Sequence, residues 1–203
     1  WLGWGEEGCA GVCLGNVRKE KRVIIGWMSS WDYAQGVATQ AWRSSMTVAR
    51  EVSLKKTNDG YILKNIPVAQ LKKYQGKSTR KTIKVKAENQ LIEKSQIDLS
   101  KAVVDLDLKK MTAGKYTFAL KNALGEELTF GIDNTTKELF VDRSKSGNTD
   151  FGNHFATAVS KAPLNKVYSN VKMKLVIDKT SIEIFFNDGE KVLTEIFFPN
   201  ENF

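Results

Sequence analysis

Four aromatic side chains carry the first chemical suggestion in this chain. Trp27, Trp31, Tyr33 and Trp42, with Arg43 beside the last, stand in a segment otherwise made of small and polar residues such as Ser29, Ser30, Thr39, Ser44 and Ser45. A sugar ring stacks its C–H faces on flat aromatic rings and needs directed partners for its hydroxyls, so this mix suits a carbohydrate. The same rings also suit packing positions in a β-rich fold, and their spacing alone leaves both readings open.

Other chemistry finds little to work with. There is one histidine, His154, and no Gly-x-Ser-x-Gly elbow, so a serine triad has no support. No phosphate-cradling loop or dinucleotide fingerprint is visible. Cys9 and Cys13 are the only cysteines. Four residues apart in an extended strand they would lie roughly 13 Å from each other, too far for a disulfide. One distant histidine cannot complete a Cys/His metal set, so neither metal nor cofactor is expected, and His154 reads as a surface loop residue. No apolar run reaches the length of a membrane helix, so no membrane partner is expected. The formal charge of +8 comes from 31 Lys+Arg against 23 Asp+Glu and is densest between Lys72 and Lys86, while all five tryptophans precede that region. Nucleic acid would want basic residues interleaved with aromatics. These lysines read instead as guards that keep a sheet edge soluble.

The elements that position these residues follow from turn signals and hydrophobic period. Val23-Ile24-Ile25 is short and β-branched, the mark of a buried strand leading into the aromatic segment. Residues 1–16 read as a strand–turn–strand piece and 17–22 as a charged turn. Arg50–Leu54 and Tyr61–Leu63 flank Asn58-Asp59-Gly60, a hairpin signal. Residues 65–76, with Pro67, read as a linker with a helical turn. Beyond it, period-two alternation recurs at Thr82–Lys86, Ala102–Leu108, Tyr116–Leu120, Leu128–Ile132, Glu138–Asp142, Val171–Ile177, Ser181–Phe186 and Val192–Phe198. Many short strands and no long amphipathic helix predict an all-β fold, with an antiparallel two-sheet β-sandwich over residues 77–203. Glu51, Asp142 and Glu183 read as members of ion pairs at strand ends or at a domain interface.

Two blocks resemble glycoside hydrolase family 32, the invertases, inulinases, levanases and other β-fructosidases. The first runs Gly26-Trp27-Met28-Ser29-Ser30-Trp31-Asp32-Tyr33, then Trp42-Arg43-Ser44-Ser45-Met46-Thr47 and Arg50-Glu51. The second is Leu139–Arg143, Ser146-Gly147-Asn148, Phe151, and Ser181–Phe185 through Asn187-Asp188-Gly189-Glu190 to Phe198-Pro199. The first is similar to the last blade of that family's five-bladed β-propeller and the second to its C-terminal sandwich. Gly3 and Cys9 stand where the family usually has an acidic residue and a tyrosine, and Ala38 and Ala49 where it has proline.

The resemblance implies residues 1–64 as the last propeller blade, 65–76 as linker and 77–203 as the sandwich. It implies Trp31 as a wall of a fructose pocket, with Trp42 and Arg43 as lesser sugar contacts, and a fructan or fructoside as a weakly held partner. Retaining glycosidases need two carboxyl groups roughly 5 to 5.5 Å apart. The family places its carboxylates in Asn-Asp-Pro-Asn-Gly, Arg-Asp-Pro and Glu-Cys motifs, and none of these occurs here. The expectation is therefore the C-terminal part of a β-fructosidase, structural in itself and inactive alone, from a secreted or periplasmic enzyme. Trp1 opens the chain with no apolar signal segment after it, so it does not read as a complete secretory precursor. The alternative is a free-standing, non-catalytic carbohydrate-binding sandwich. A blade without neighbours would expose apolar faces around Trp1, Trp4 and Val23–Ile25, which would favour a homodimer over a monomer whose remnant folds back on the sandwich.

Overall fold

A computed structural model describes residues 2–15, 21–58, 60–85, 91–92, 97–152, 154–157 and 159–203. The first sheet is a meander of β1 (Cys9–Leu14), β2 (Arg22–Trp27), β3 (Arg50–Thr57) and β4 (Gly60–Pro67), antiparallel throughout and in spatial order β1-β2-β3-β4. The Val-Ile-Ile run forms β2 as expected, and β3 and β4 close a tight hairpin in which Thr57 faces Gly60. A short 3-10 turn, Ala69–Tyr74, follows β4.

The rest is a two-layer sandwich. One layer has the order β12-β11-β10-β5 and the other β6-β7-β8-β9. Its strands are β5 (Lys101–Lys109), β6 (Lys115–Lys121), β7 (Glu127–Asp133), β8 (Glu138–Lys145), β9 (Ser160–Pro163), β10 (Asn170–Asp178), β11 (Ser181–Phe186) and β12 (Lys191–Ile196). Alternation does what the sequence implied: Leu128, Phe130 and Ile132 from one layer meet Met173, Leu175, Ile177, Ile182, Ile184 and Phe186 from the other in one closed core. The protein is all-β, and its C-terminal part is an antiparallel sandwich.

β11 is the strand on which the two parts hinge. All six of its residues are buried, because it has something on both faces. Ile182, Ile184 and Phe186 enter the sandwich core, while Glu183 and Phe185 lie against Arg50 of the first sheet. A smaller core seals the same seam, where Met28, Tyr33 and Val37 meet Phe155, Ile196 and Phe198. The tip of the β11–β12 hairpin docks on β4, with the Asn65 N–H donating to the Gly189 carbonyl at 2.9 Å. Gly189 has φ +80°, and any Cβ there would collide with the Asn65 carbonyl, so only glycine fits.

Three expectations change. Residues 82–85 form no strand and are exposed; alternation without a partner ladder does not make a sheet, and the nearby lysines therefore guard no sheet edge. Lys86, the last residue of that expected strand, lies outside the described residues. Trp4 is not left bare. Its N–H donates to the Val192 carbonyl at 2.7 Å, its own carbonyl accepts from Thr194 at 3.2 Å, and it bridges Leu193 in parallel, so this segment lengthens the sandwich sheet at β12. Trp1 and residues 17–20 lie outside the described residues. β9 was not foreseen, being four residues long and ending in proline. Cys9 and Cys13 are free and exposed. A bulge between Cys9 and Val12 sets Cys9 opposite Trp27 and Cys13 opposite Ile24, which puts the two thiols on opposite faces of the sheet.

Candidate functional site

Trp31 sits where β2 ends and the chain turns through residues 31–36. Ser30 builds that turn: its carbonyl accepts from the N–H groups of Tyr33 and Ala34, and its hydroxyl accepts from Asp32 N–H. The turn lifts Trp31 to 80% exposure while its ring leans on Trp27, centroids 5.1 Å apart and planes at 58°. A tryptophan held from below and open above is a stacking platform, with Asp32 exposed beside it.

Trp42 lies elsewhere. Half exposed, it lines a hollow of ≈ 280 Å³ between the 38–42 loop and the sandwich, with Asn148, Lys179, Thr180 and Asn200 on the far side. Trp31 lines no part of it, so the structure does not bring the two rings to one hollow. Arg43 is a clasp for this loop. Its guanidinium donates to the Val37 carbonyl, to the Thr39 carbonyl at 2.5 Å and to the Thr39 hydroxyl at 3.1 Å. Its main observed work is to hold the loop that carries Trp42.

The charged groups that sequence reasoning missed are at the seam. Arg143 Nη1 donates to Glu7 Oε1 at 2.6 Å and to the Ile196 carbonyl at 3.2 Å, and lies 3.1 Å from Glu195 Oε2. The Tyr33 hydroxyl donates to Glu7 Oε1 and accepts from Arg143 Nη2. The guanidinium also covers the Phe155 ring at 4.0 Å. Burial pushes both carboxyls above their ordinary range, against the pull of Arg143, and Glu195 is pushed further because Glu7 stands next to it. Burial and the Glu7 charge likewise raise the Tyr33 phenol.

The second seam pair is Arg50 and Glu183, at 2.5 and 2.9 Å, with Val48 N–H donating to Glu183 at 2.7 Å and Arg50 to the Thr194 hydroxyl at 2.7 Å. Glu183 thus has the interface role expected of it. Glu51 pairs with Lys21 on the surface, and Asp142 caps Ser144 N–H. Two carboxyls beside one another resemble a glycosidase pair in composition only. Glu7 and Glu195 are buried to within a few per cent and neither lines the hollow at Trp42, so no glycosidic bond can reach them. They join the two parts of the chain. One signal was available: Glu183 and Glu195 interrupt apolar runs, where a charge needs a partner.

A model described as "Glycosyl hydrolases family 32 N-terminal domain" matches residues 1–66, and one described as "Glycosyl hydrolases family 32 C terminal" matches residues 68–203. The chain belongs to glycosyl hydrolase family 32. A levanase of Bacillus subtilis is 32% identical over the whole chain, which covers 30% of that enzyme. An extracellular exo-inulinase of Aspergillus niger is 28% identical over the whole chain, covering 38% of it. The crystal structure of an Aspergillus awamori exo-inulinase superposes on the whole chain with a TM-score of 0.78 at 26% identity, 40% of it being covered. This family 32 chain therefore spans about a third of the length of the curated relatives it matches. Its first sheet is a propeller blade and its second part the family's sandwich.

Proposed function

We propose that this chain forms the last blade and the sandwich of a β-fructosidase acting on fructans or sucrose, an enzyme exported from the cell. The observation that carries this is the tiling of the chain by the two family 32 domains in order, with relatives named levanase and extracellular exo-inulinase. Within the family, a Bombyx mori β-fructofuranosidase has been captured with sucrose and a Cichorium intybus fructan 1-exohydrolase with 1-kestose. In this reading Trp31 is one wall of the fructose pocket. Trp42, steadied by Arg43, meets more distant sugar units in the hollow at the seam. The domains divide at residues 65–76. The hydrolytic carboxylates belong to other blades, and the 203 residues are structural and inactive on their own.

The test uses the chain as it is. A titration with levan or inulin oligosaccharides, followed by tryptophan fluorescence, is expected to show millimolar binding that disappears in Trp31→Ala, since one wall buries too little ligand for more. No fructose should be released. Fructose release above a no-enzyme control, or tight binding that survives Trp31→Ala, would overturn the reading. The openness of Trp31 also suits a free-standing carbohydrate-binding module. Tight binding that requires Trp31 would decide for that module. Isolated, the blade exposes β1 along its whole length, with Leu2, Val12 and Leu14 bare, and two copies are expected to pair there. Light scattering that gives 22.8 kDa at all concentrations would exclude the pairing.

A further inference from the structure

The lysine-rich run after β4 has lost the explanation that its sequence invited. Between Lys72 and Lys84 there are six cations, Lys72, Lys73, Lys77, Arg80, Lys81 and Lys84, and no acidic residue. Without them the chain holds 25 basic against 23 acidic residues, so six of its eight net charges lie in these thirteen positions. Every residue from Lys72 to Val85 is exposed. The 3-10 turn at the start of the run buries nothing, and Tyr74 at its end is 86% exposed. None of the six cations is ion-paired with a described residue, in contrast to Lys55, Lys101, Lys109, Lys161 and Lys174 elsewhere. Residues 76–85 make no backbone hydrogen bond with a described residue.

We propose that residues 72–84 are a basic strap that binds a linear anionic polysaccharide and so holds the protein on an acidic matrix. Six like charges held together repel one another, and a polyanion relieves that repulsion while releasing its own counterions. The strap's composition selects among polyanions. Five of the six cations are lysines, point charges without the fork that grips a single phosphate or carboxylate in two places. They stand exposed along the chain and line neither the hollow at Trp42 nor the smaller one beside Met28, so the strap reads charge density along a chain and not one anion. Tyr74 is the one aromatic ring in the run, whereas single-stranded nucleic acid needs successive rings for its bases. Among residues 72–85 the only helical piece is the end of a six-residue 3-10 turn, too short to lie in a bilayer surface as an amphipathic helix. The strap contributes nothing to the hollow at Trp42, so an anchored protein keeps that surface free.

The experiment measures binding of the whole chain to heparin and to polygalacturonate across a salt series, with levan as neutral polymer, an RNA oligonucleotide and phosphatidylserine vesicles alongside. Both acidic polysaccharides are expected to bind, with affinity falling steeply as salt rises. Replacing Lys77, Arg80, Lys81 and Lys84 by serine should weaken this binding at least about tenfold. Replacing Lys56, Lys109, Lys145 and Lys172 by serine removes the same charge and should change it less than about twofold. All these positions are exposed, and an unchanged near-UV circular dichroism spectrum verifies the fold. Equal losses in the two variants, or no binding by the unmodified chain at low salt, would overturn the strap. Tighter binding to RNA or to vesicles than to both polysaccharides would overturn its assignment to a polysaccharide.

Discussion

Two arginines cross the same seam and solve different problems. Arg50 meets one carboxylate, Glu183, whose two oxygens are taken by the guanidinium and by Val48 N–H, while Thr194 receives the spare donor. Charges and donors balance. Arg143 meets two carboxyls, Glu7 and Glu195, and the set leaves Glu7 Oε2, Glu195 Oε2 and Arg143 Nε without a hydrogen-bond partner, although Glu195 Oε2 stays in ion-pair range of Arg143. One positive charge balances only one of two buried negative ones, so burial and the neighbouring carboxylate favour a proton on one of the pair. The first site is a closed lock. The second is a lock that depends on a proton.

The largest effect separates the arginines themselves. Arg143→Met leaves two carboxyls facing apolar side chains, and Arg50→Met leaves one. Breaking a buried pair costs about 3–5 kcal/mol. Arg143→Met is expected at the upper end of that range and Arg50→Met at the lower end, as read from urea unfolding at neutral pH. Equal costs would show that the second, protonated carboxyl adds nothing to the loss at Arg143.

Smaller, but opposite in sign, are the two Glu→Gln changes. Glu183→Gln leaves Arg50 without its counter-charge and should cost about 2–3 kcal/mol. Glu195→Gln keeps the shape, removes the surplus acid and should stabilise the protein at pH 8 by about 1 kcal/mol. Acidity sharpens the contrast. The folded-state pKa values of Glu7 and Glu195 lie above the ordinary 4.5. Their protonated forms are therefore favoured in the folded state. The stability this contributes is complete below about 4.5 and is lost as pH rises through the raised values. Unfolding free energy should fall from pH 5 to pH 8, and Glu195→Gln should flatten that slope. Glu183 is also raised, burial outweighing Arg50, so a residual slope should survive in that variant. A slope unchanged by Glu195→Gln would remove the retained proton.

The sequence made the sandwich legible because its strands alternate against a closed core, as Leu128, Phe130 and Ile132 do. The same signal failed at Thr82–Val85, since period two describes one strand's faces and not whether another strand is available. The hairpin β3–β4 was readable from its turn, whereas β9 was too short to show a period. At the candidate site, the residue types were visible and their grouping was not. Trp31 and Trp42 are eleven residues apart, yet the turn at Ser30 sends one to a stacking platform and the Arg43 clasp holds the other over the sandwich. Nothing local to Glu6-Glu7, set between glycines, signals burial. Only the docking of Gly3–Glu7 along β12 brings Glu7 inside, and that contact spans almost the whole chain.

The smallest expected effect comes from a third ion pair on the same seam. Lys55 of β3 meets Glu190, just before β12, at 2.6 Å, a separation comparable to those of the two buried arginine pairs. Half of the Lys55 side chain is in water, and hydrogen bonding to Glu190 raises its pKa against only a lesser cost of burial. Water screens the attraction and ordering a lysine side chain offsets what is left, so short distance alone confers little. Lys55→Ala should leave the unfolding midpoint within measurement error of the parent, in low and in high salt. A clear drop that high salt abolishes would mean that Lys55 and Glu190 carry part of the docking now assigned to Arg50 and Arg143. The hairpin tip would then be held by charge as well as by the close fit of Gly189 on Asn65.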